Sequence, residues 1–179
     1  AIQQELHAID ETILIFGEPW DAGGSNLPES EAAYNANLDR LPGVAVFNDD
    51  TRDGVKGSVF NSAEQGFIQG VSSSGVMNRI MLGIVGGVYH NHIAQAGLPK
   101  GSWAVNPYQA VNYVTAHDNN TLHDKLMLSV DDGTTYEEVV AMQKQSNAII
   151  LTSQGISFLH GGVELMRTKP CIVIGGEDQ

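Results

Sequence analysis

Short apolar runs alternate with longer amphipathic segments along this chain. Residues 1–9 carry apolar side chains at the spacing of an amphipathic helix. Residues 12–16 then form a continuous apolar run, as a strand buried on both faces does, and Glu18 follows where that run ends. A first helix and a first strand are therefore predicted, with a carboxylate at the carboxyl end of the strand.

Two later apolar runs show the same arrangement. Residues 110–116 predict a second strand, which leads into the polar residues 117–120, and residues 156–160 predict a third strand that ends at two glycines. The spacing predicts a long helix over residues 136–152, stopped by Gly155. Residues 74–96 also have helical spacing, although three glycines within them weaken a helix.

The segment from residue 21 to residue 61 has a different composition. It is rich in Gly, Pro, Asn and Asp, which predicts one long structured loop. Loops of this length commonly carry function. The whole order of strands and helices is typical of parallel β/α units, in which chemistry lies at the carboxyl ends of the strands. The fold class predicted is α/β.

Charge and cysteine content narrow the classes of function. With 9 basic and 21 acidic side chains the net charge is −12, which repels phosphate backbones and anionic membrane surfaces. We therefore expect neither nucleic acid nor a membrane as partner, and no apolar run approaches the roughly 20 residues of a membrane helix. Cys171 is the one cysteine, so an internal disulfide is excluded and the cellular compartment stays open.

Glu18 and Asp118 are candidates for acid–base chemistry on a glycosidic bond. That reaction needs a protonated carboxyl group beside the leaving oxygen and a carboxylate near the oxocarbenium-like carbon. The two residues are 118 − 18 = 100 positions apart, so a fold that gathers strand ends at one rim is required. The alternative is structural: Glu18 pairs within a loop, and Asp118 opens a turn or caps a helix.

Four segments resemble the type I pullulanases of glycoside hydrolase family thirteen. They are residues 16–20 (FGEPW), 46–58 (VFNDDTRDGVKGS), 111–119 (VNYVTAHDN) and 151–162 (LTSQGISFLHGG). The first and third are general to the wider family, and the second points to its debranching subgroup. The resemblance covers residues 1–169 and implies part of a TIM (β/α)8 barrel, roughly strands five to eight with their helices.

The resemblance also implies roles for individual residues. Glu18, ending the fifth barrel strand, is expected to be the proton donor, and Asp118, after the seventh, to bind sugar hydroxyls and stabilise the distorted ring. His117 is expected to hydrogen-bond sugar hydroxyls where the bond breaks. Trp20 offers a flat face for a glucose ring, and Asn119 a donor to a glucose hydroxyl.

Family members attack the anomeric carbon with an aspartate that ends the fourth strand, in a phrase like FRFD. This chain is expected to begin just after that residue, so by itself it should be essentially inactive, and its open barrel should need the missing half or self-associate. Residues 170–179 depart from the family pattern and are expected to form an atypical tail.

Other interpretations stay open. The chain could be a non-catalytic α-glucan-binding fragment, or a relative of α-1,4-acting amylases, since Glu18, His117 and Asp118 are shared with them. The hydrolysis needs no organic cofactor. A structural calcium ion is conceivable at the oxygen-rich residues 48–53, although EF-hand spacing is absent. Arg52 and Asp53 are expected to pair with each other. His90 and His92 fit zinc poorly, because on a helix they would not share a face.

Overall fold

A four-stranded parallel sheet forms the centre of the computed structural model, which describes residues 2–21, 23–24, 26–169, 173–174 and 177–178. The strands are β1 Ile15–Gly17, β2 Val44–Phe47, β3 Ala110–Asn112 and β4 Ile156–Ser157. They lie side by side in chain order, and each neighbouring pair is parallel. The carboxyl ends of all four strands therefore meet at one edge of the sheet.

Five α-helices accompany this sheet in the part of the chain that the structure describes. They are α1 Ile2–Ile9, α2 Asp49–Lys56, α3 Ser74–Ile84, α4 Leu122–Ser129 and α5 Tyr136–Thr152. Helix α1 precedes β1, α2 and α3 connect β2 to β3, and α4 and α5 connect β3 to β4. This alternation confirms the predicted α/β class and the partial barrel, and the helices expected over residues 1–9 and 136–152 are present. No helix within the described residues is long and apolar enough to cross a membrane.

The prediction of a single long loop over residues 21–61 is wrong, because β2 and α2 lie within it. Strand β2 has only four residues, a run too short to stand out among the surrounding turn residues, yet Ala45 and Val46 are buried. Helix α2 is polar in composition, and it begins where Asn48 accepts a hydrogen bond from the amide of Thr51 over 3.2 Å. Tertiary packing against α3 stabilises it despite its weak intrinsic propensity.

Helix α3 is shorter than the predicted span of residues 74–96. It ends at Ile84, and Gly86 and Gly87 follow with φ angles of 69° and 76°. Those left-handed conformations suit glycine and terminate a helix. Helix α4 was considered only in the structural alternative for Asp118, and Asp118 is not its capping residue. It begins after Thr121, whose side chain accepts from the amide of Asp124.

The main apolar core is formed by residues of helices α2 to α5 and of the segments near them. Its buried members are Val55, Ile68, Ile80, Val114, Leu122, Leu126, Val139, Ile150 and Val163. A buried polar residue also connects parts of the fold. Asn112 of β3 donates from Nδ2 to the carbonyl oxygens of Gly83 and Gln154, and its Oδ1 accepts from Nδ2 of Asn48. Asn112 thus ties β3 to the chain following β2, to α3 and to the approach to β4.

Residues 170–179, predicted to be an atypical tail, are only partly described. Val173–Ile174 and Glu177–Asp178 pair as a short antiparallel two-stranded sheet. The remaining residues of this segment, Cys171 among them, lie outside the described part of the chain.

Candidate active site

A cavity of about 180 Å³ opens at the carboxyl edge of the sheet. It is lined by Glu18, Trp20, Phe47, Tyr113, Ala116, His117, Asp118 and Phe158. Pockets that enclose drug-sized ligands measure about 300–1,000 Å³, so this one suits a single ring. The structure thus brings together Glu18 and Asp118, separated by 100 positions in sequence, along with two further residues predicted for the site.

The backbone explains how the carboxylates reach this position. Glu18 comes directly after β1, and the buried Pro19 holds the chain so that Trp20 also faces the cavity. Asp118 lies on the loop that follows β3. Asn119, with φ 53°, does not line the cavity; its Nδ2 donates to Oδ2 of Asp118 over 3.1 Å. Asn119 therefore contacts the neighbouring carboxylate, and its expected bond to sugar stays a prediction.

A second cavity of about 180 Å³ shares Glu18 and Trp20 with the first. Its other lining residues are Asp21, Leu27, Ala32, Ala33 and Tyr34, from the long connection between β1 and β2. Glu18 thus lies between two spaces of similar size.

Aromatic side chains form the inner wall of the first cavity. The ring centroids of Phe47 and Tyr113 are 4.9 Å apart, and those of Phe47 and Phe158 are 5.2 Å apart, both edge to face. Phe16 joins this group 5.8 Å from Phe47. Sequence reasoning gave these residues no role, although Phe47 ends β2 and Phe158 directly follows β4, positions that a parallel sheet places beside its site.

Beneath the aromatic wall, Tyr113 is held by a buried polar network from α2. Its phenol oxygen accepts from Nη1 of Arg52 over 2.7 Å and donates to Oδ1 of Asp49 over 2.8 Å. Burial raises the pKa of the Tyr113 phenol, so the group stays protonated and can donate. Nε of Arg52 also lies 2.7 Å from Oδ1 of Asp53, so these two residues form the pair that the sequence predicted. That pair lies on a helix rather than in the expected loop.

His160 follows the end of β4 and comes two residues after Phe158 of the cavity lining. Nη1 of Arg167 is 3.3 Å from its Nε2, which places an unprotonated Nε2 opposite a donor. The pKa of His160 is lowered by partial burial first, and then by the positive charges of Arg167, Lys169 and His117. The neutral imidazole is accordingly favoured next to the predicted site.

The residues considered for metals are arranged differently from a metal site. Among the described residues, no group of three or more His, Cys, Asp or Glu side chains could hold a metal ion. His90 and His92 lie in the loop after α3, not on a helix, with ring centroids 5.3 Å apart. Within residues 48–53, Asn48 caps α2 and the carboxylates of Asp49 and Asp53 are bonded to Arg52, and the calcium ion considered there stays a prediction.

Comparisons with known proteins identify relatives of this chain. No protein-family model matches it. It is 38% identical to a pullulanase of Bacillus subtilis over 157 residues, which cover 88% of the chain and 20% of that relative. A pullulanase of Paenibacillus barengoltzii in complex with maltohexaose and α-cyclodextrin matches 99% of the chain and 25% of its own length, with a TM-score of 0.81 and 42% identity. A pullulanase of Anoxybacillus sp. with maltotetraose matches over 99% of the chain and 23% of its own length, with a TM-score of 0.76 and 35% identity.

The chain spans about a fifth to a quarter of the length of these relatives. The structural matches cover 99% of the chain and so include the strands that precede Glu18 and Asp118. On these grounds the chain belongs to the pullulanase family of starch-debranching glycoside hydrolases.

Proposed function

We propose that this chain supplies the acid side of an α-1,6-glucosidase active site, with Glu18 as proton donor and Asp118 as the carboxylate that binds and distorts the sugar. The observation that carries the proposal is the shared cavity of Glu18, Trp20, His117 and Asp118 at the carboxyl edge of the sheet. Its substrates would be pullulan, amylopectin branches or limit dextrins. Pullulanases related to it have been crystallised with maltohexaose and maltotetraose, which supports an α-glucan as ligand.

The chemistry follows from these positions. The Glu18 carboxyl group donates its proton to the glycosidic oxygen as the bond from that oxygen to the anomeric carbon breaks. An aspartate from outside these 179 residues forms the covalent bond to the anomeric carbon. The Glu18 carboxylate then accepts a proton from water, whose oxygen attacks the same carbon and releases the aspartate. Asp118 and His117 bond the hydroxyls of the distorted ring, and Trp20 packs against its apolar face.

The open edge of the sheet supports a partner that completes the barrel. Strand β1 pairs with β2 on one side only in the described structure. On and next to β1, the side chains of Leu14 and Phe16 are 62% and 45% exposed. An unpaired strand with exposed apolar side chains tends to associate with another strand. We propose the preceding half of the barrel as the occupant, with self-association of this chain in its absence.

Complementation tests the catalytic role. The chain is mixed with a separately expressed segment that carries the first four barrel strands of a pullulanase, and the release of reducing ends from pullulan is followed. We expect hydrolysis by the mixture, little by either part alone, and loss of hydrolysis with Glu18→Gln. Glu137→Gln, on the exposed first turn of α5, is the matched control. Linear α-1,4-dextrin distinguishes an amylase-type specificity.

A glucan-binding role without catalysis is the second candidate. It is favoured by the aromatic lining of the cavity and by the exposure of Glu18, His117 and Asp118 to solvent. Titration of the chain with maltotetraose, followed by the fluorescence of Trp20, measures binding directly, and Trp20→Phe should remove the signal. Binding with no hydrolysis in a folded complex would select this candidate. If the complex shows neither binding nor hydrolysis, the result would contradict both the catalytic and the glucan-binding candidates.

Size-exclusion chromatography tests the open edge. The isolated chain should elute as a dimer or larger species and should shift to a one-to-one complex when the complementary segment is added. A stable, compact monomer would count against the proposal that this edge needs a partner.

A further inference from the structure

Lys169 bonds to the loop that carries the predicted site residues. Its Nζ donates to the carbonyl oxygen of His117 over 2.5 Å and to that of Asn119 over 2.6 Å. Lys169 follows β4, whereas the loop follows β3. One ammonium group therefore holds both sides of Asp118 from a different part of the chain.

The backbone of Lys169 is itself anchored. Its N–H donates to Oδ2 of Asp124 over 2.9 Å, and the same carboxylate oxygen accepts from Oγ1 of Thr121 over 2.8 Å. Thr121 caps α4, whose first turn contains Asp124. Lys169 is thus fixed at the start of a helix while its side chain extends back to the loop.

The loop of residues 117–120 has few other means of holding its shape. The side chains of His117, Asp118 and Asn119 are exposed, so apolar burial contributes little. Asn119 adopts a left-handed backbone conformation, with φ 53°, which asparagine tolerates better than most other non-glycine residues. The hydrogen bond from Asn119 to Asp118 lies within the loop and does not connect it to the rest of the molecule.

A second lysine in this chain is used in the same manner. Nζ of Lys125 donates to the carbonyl oxygens of Ser58, Asn61 and Ser62 over 2.6–3.1 Å. An ammonium group carries three donors and no acceptor, so converging carbonyl oxygens suit it. The two carbonyl contacts of Lys169 have this form, but at the loop that lines the candidate active site.

We infer that Lys169 is a positioning residue, which holds residues 117–120 so that His117 and Asp118 face the cavity and thereby sets its affinity for an α-glucan. The part concerning affinity rests on the proposed function; the part concerning the loop does not. Charge-assisted hydrogen bonds of this kind are stronger than neutral ones. Removal of the ammonium should therefore loosen the loop while leaving the core unchanged.

The test compares Lys169→Met, which keeps an apolar chain of similar length, with Lys169→Arg, which keeps the positive charge. Lys144→Met, on the exposed side of α5, is the matched control. Amide hydrogen exchange is measured by mass spectrometry over residues 113–121 and over α5, together with the affinity for maltotetraose. Exchange by mass spectrometry is usable whether the chain is monomeric or associated.

In Lys169→Met we expect exchange over residues 117–120 to be about tenfold faster and the affinity about tenfold weaker, the effect of losing one or two hydrogen bonds to a charged group. Exchange over α5 should be unchanged, Lys169→Arg should lie between, and Lys144→Met should match the unmodified chain. Unchanged exchange at the loop, or faster exchange throughout the chain, would overturn the inference. If the unmodified chain binds no maltotetraose, the proposed function fails, and loop exchange alone still decides the positioning role.

Discussion

Nη1 of Arg52 lies 2.7 Å from the phenol oxygen of Tyr113, so the helix that follows β2 and the wall of the candidate active site share a buried hydrogen bond. The guanidinium carbon is also 5.6 Å from the centroid of the tyrosine ring. The phenol donates in turn to Asp49, whose carboxylate is 3.3 Å from the same guanidinium. Two further ion pairs extend this network, between Arg52 and Asp53 and between Asp49 and Lys100.

Tyr113→Phe should therefore destabilise the fold while leaving the aromatic wall in place. Loss of the hydroxyl leaves Arg52 and Asp49 each without one buried partner, so we expect the free energy of unfolding to fall by about 1–3 kcal/mol. Urea unfolding followed by circular dichroism measures the change. The matched control is Tyr108→Phe, since the Tyr108 side chain is exposed and should change stability by less than about 0.5 kcal/mol. Equal effects of the two substitutions would contradict the assignment.

Asn112→Ala should be among the more damaging substitutions in the sheet. The side chain is 1% exposed, and its removal takes a partner from the amide of Asn48 and from the carbonyl oxygen of Gln154. The carbonyl oxygen of Gly83 also loses this bond but still accepts from the N–H of Gly86. We expect the free energy of unfolding to fall by about 2–4 kcal/mol, since each unsatisfied buried group costs about 1–3 kcal/mol. Gln145→Ala, at an exposed position of α5, is the control in the same urea experiment. A loss equal to that of the control would show that these bonds contribute nothing.

Arg167→Gln should raise the pKa of His160. Partial burial, and after it the neighbouring positive charges, hold that pKa below its ordinary value. As the pH falls, the imidazole is therefore protonated at a higher pH in the unfolded chain than in the folded chain. This group therefore weakens stability as pH falls through about 6.5, the value in an unfolded chain. Titration of the imidazole Cε1–H signal by NMR measures the pKa. Arg167→Lys, which keeps the charge, should leave it low. An unchanged pKa in Arg167→Gln would rule out the guanidinium as a cause.

Lys56→Met should stabilise the chain at neutral pH. Lys56 is 2% exposed, and burial lowers its pKa to about 7. The positive charge of Arg52 also lowers this pKa, whereas the negative charges of Asp53 and Asp118 raise it. Between about pH 7 and the ordinary lysine pKa near 10.4, the unfolded state carries a proton that the folded state lacks, so stability rises with pH.

An apolar side chain removes the cost of burying this charge. We expect Lys56→Met to raise the free energy of unfolding at pH 7 by about 1–4 kcal/mol, as when other buried charged groups are replaced by apolar ones of similar volume. Urea unfolding at about pH 6 and about pH 9 should show a smaller pH dependence than in the unmodified chain. The exposed Lys144→Met should leave that dependence as it is. Destabilisation by Lys56→Met would indicate that the buried ammonium has a required partner.

Strong periodicity was enough to predict several elements. Helix α5 has 17 residues with a capping box at Thr135 and Glu138, and its predicted bounds match the structure. The apolar runs before Glu18 and before His117 located β1 and β3, although each strand is shorter than its run. Strand β2 was missed because four apolar residues carry little periodicity, and α2 because its composition is polar.

The sequence by itself determined the class of fold, the family and the carboxylates to consider, because periodicity and short motifs involve residues that are close together in the sequence. Only the tertiary structure decided that Glu18, Trp20, His117 and Asp118 share one cavity while Asn119 does not line it. Parallel pairing of β1 with β2, and of β2 with β3, produces that meeting. The aromatic wall of Phe47, Tyr113 and Phe158, and the reach of Lys169 to the loop after β3, depend on contacts between distant residues. No local pattern encodes such contacts, because they arise only when the strands are side by side.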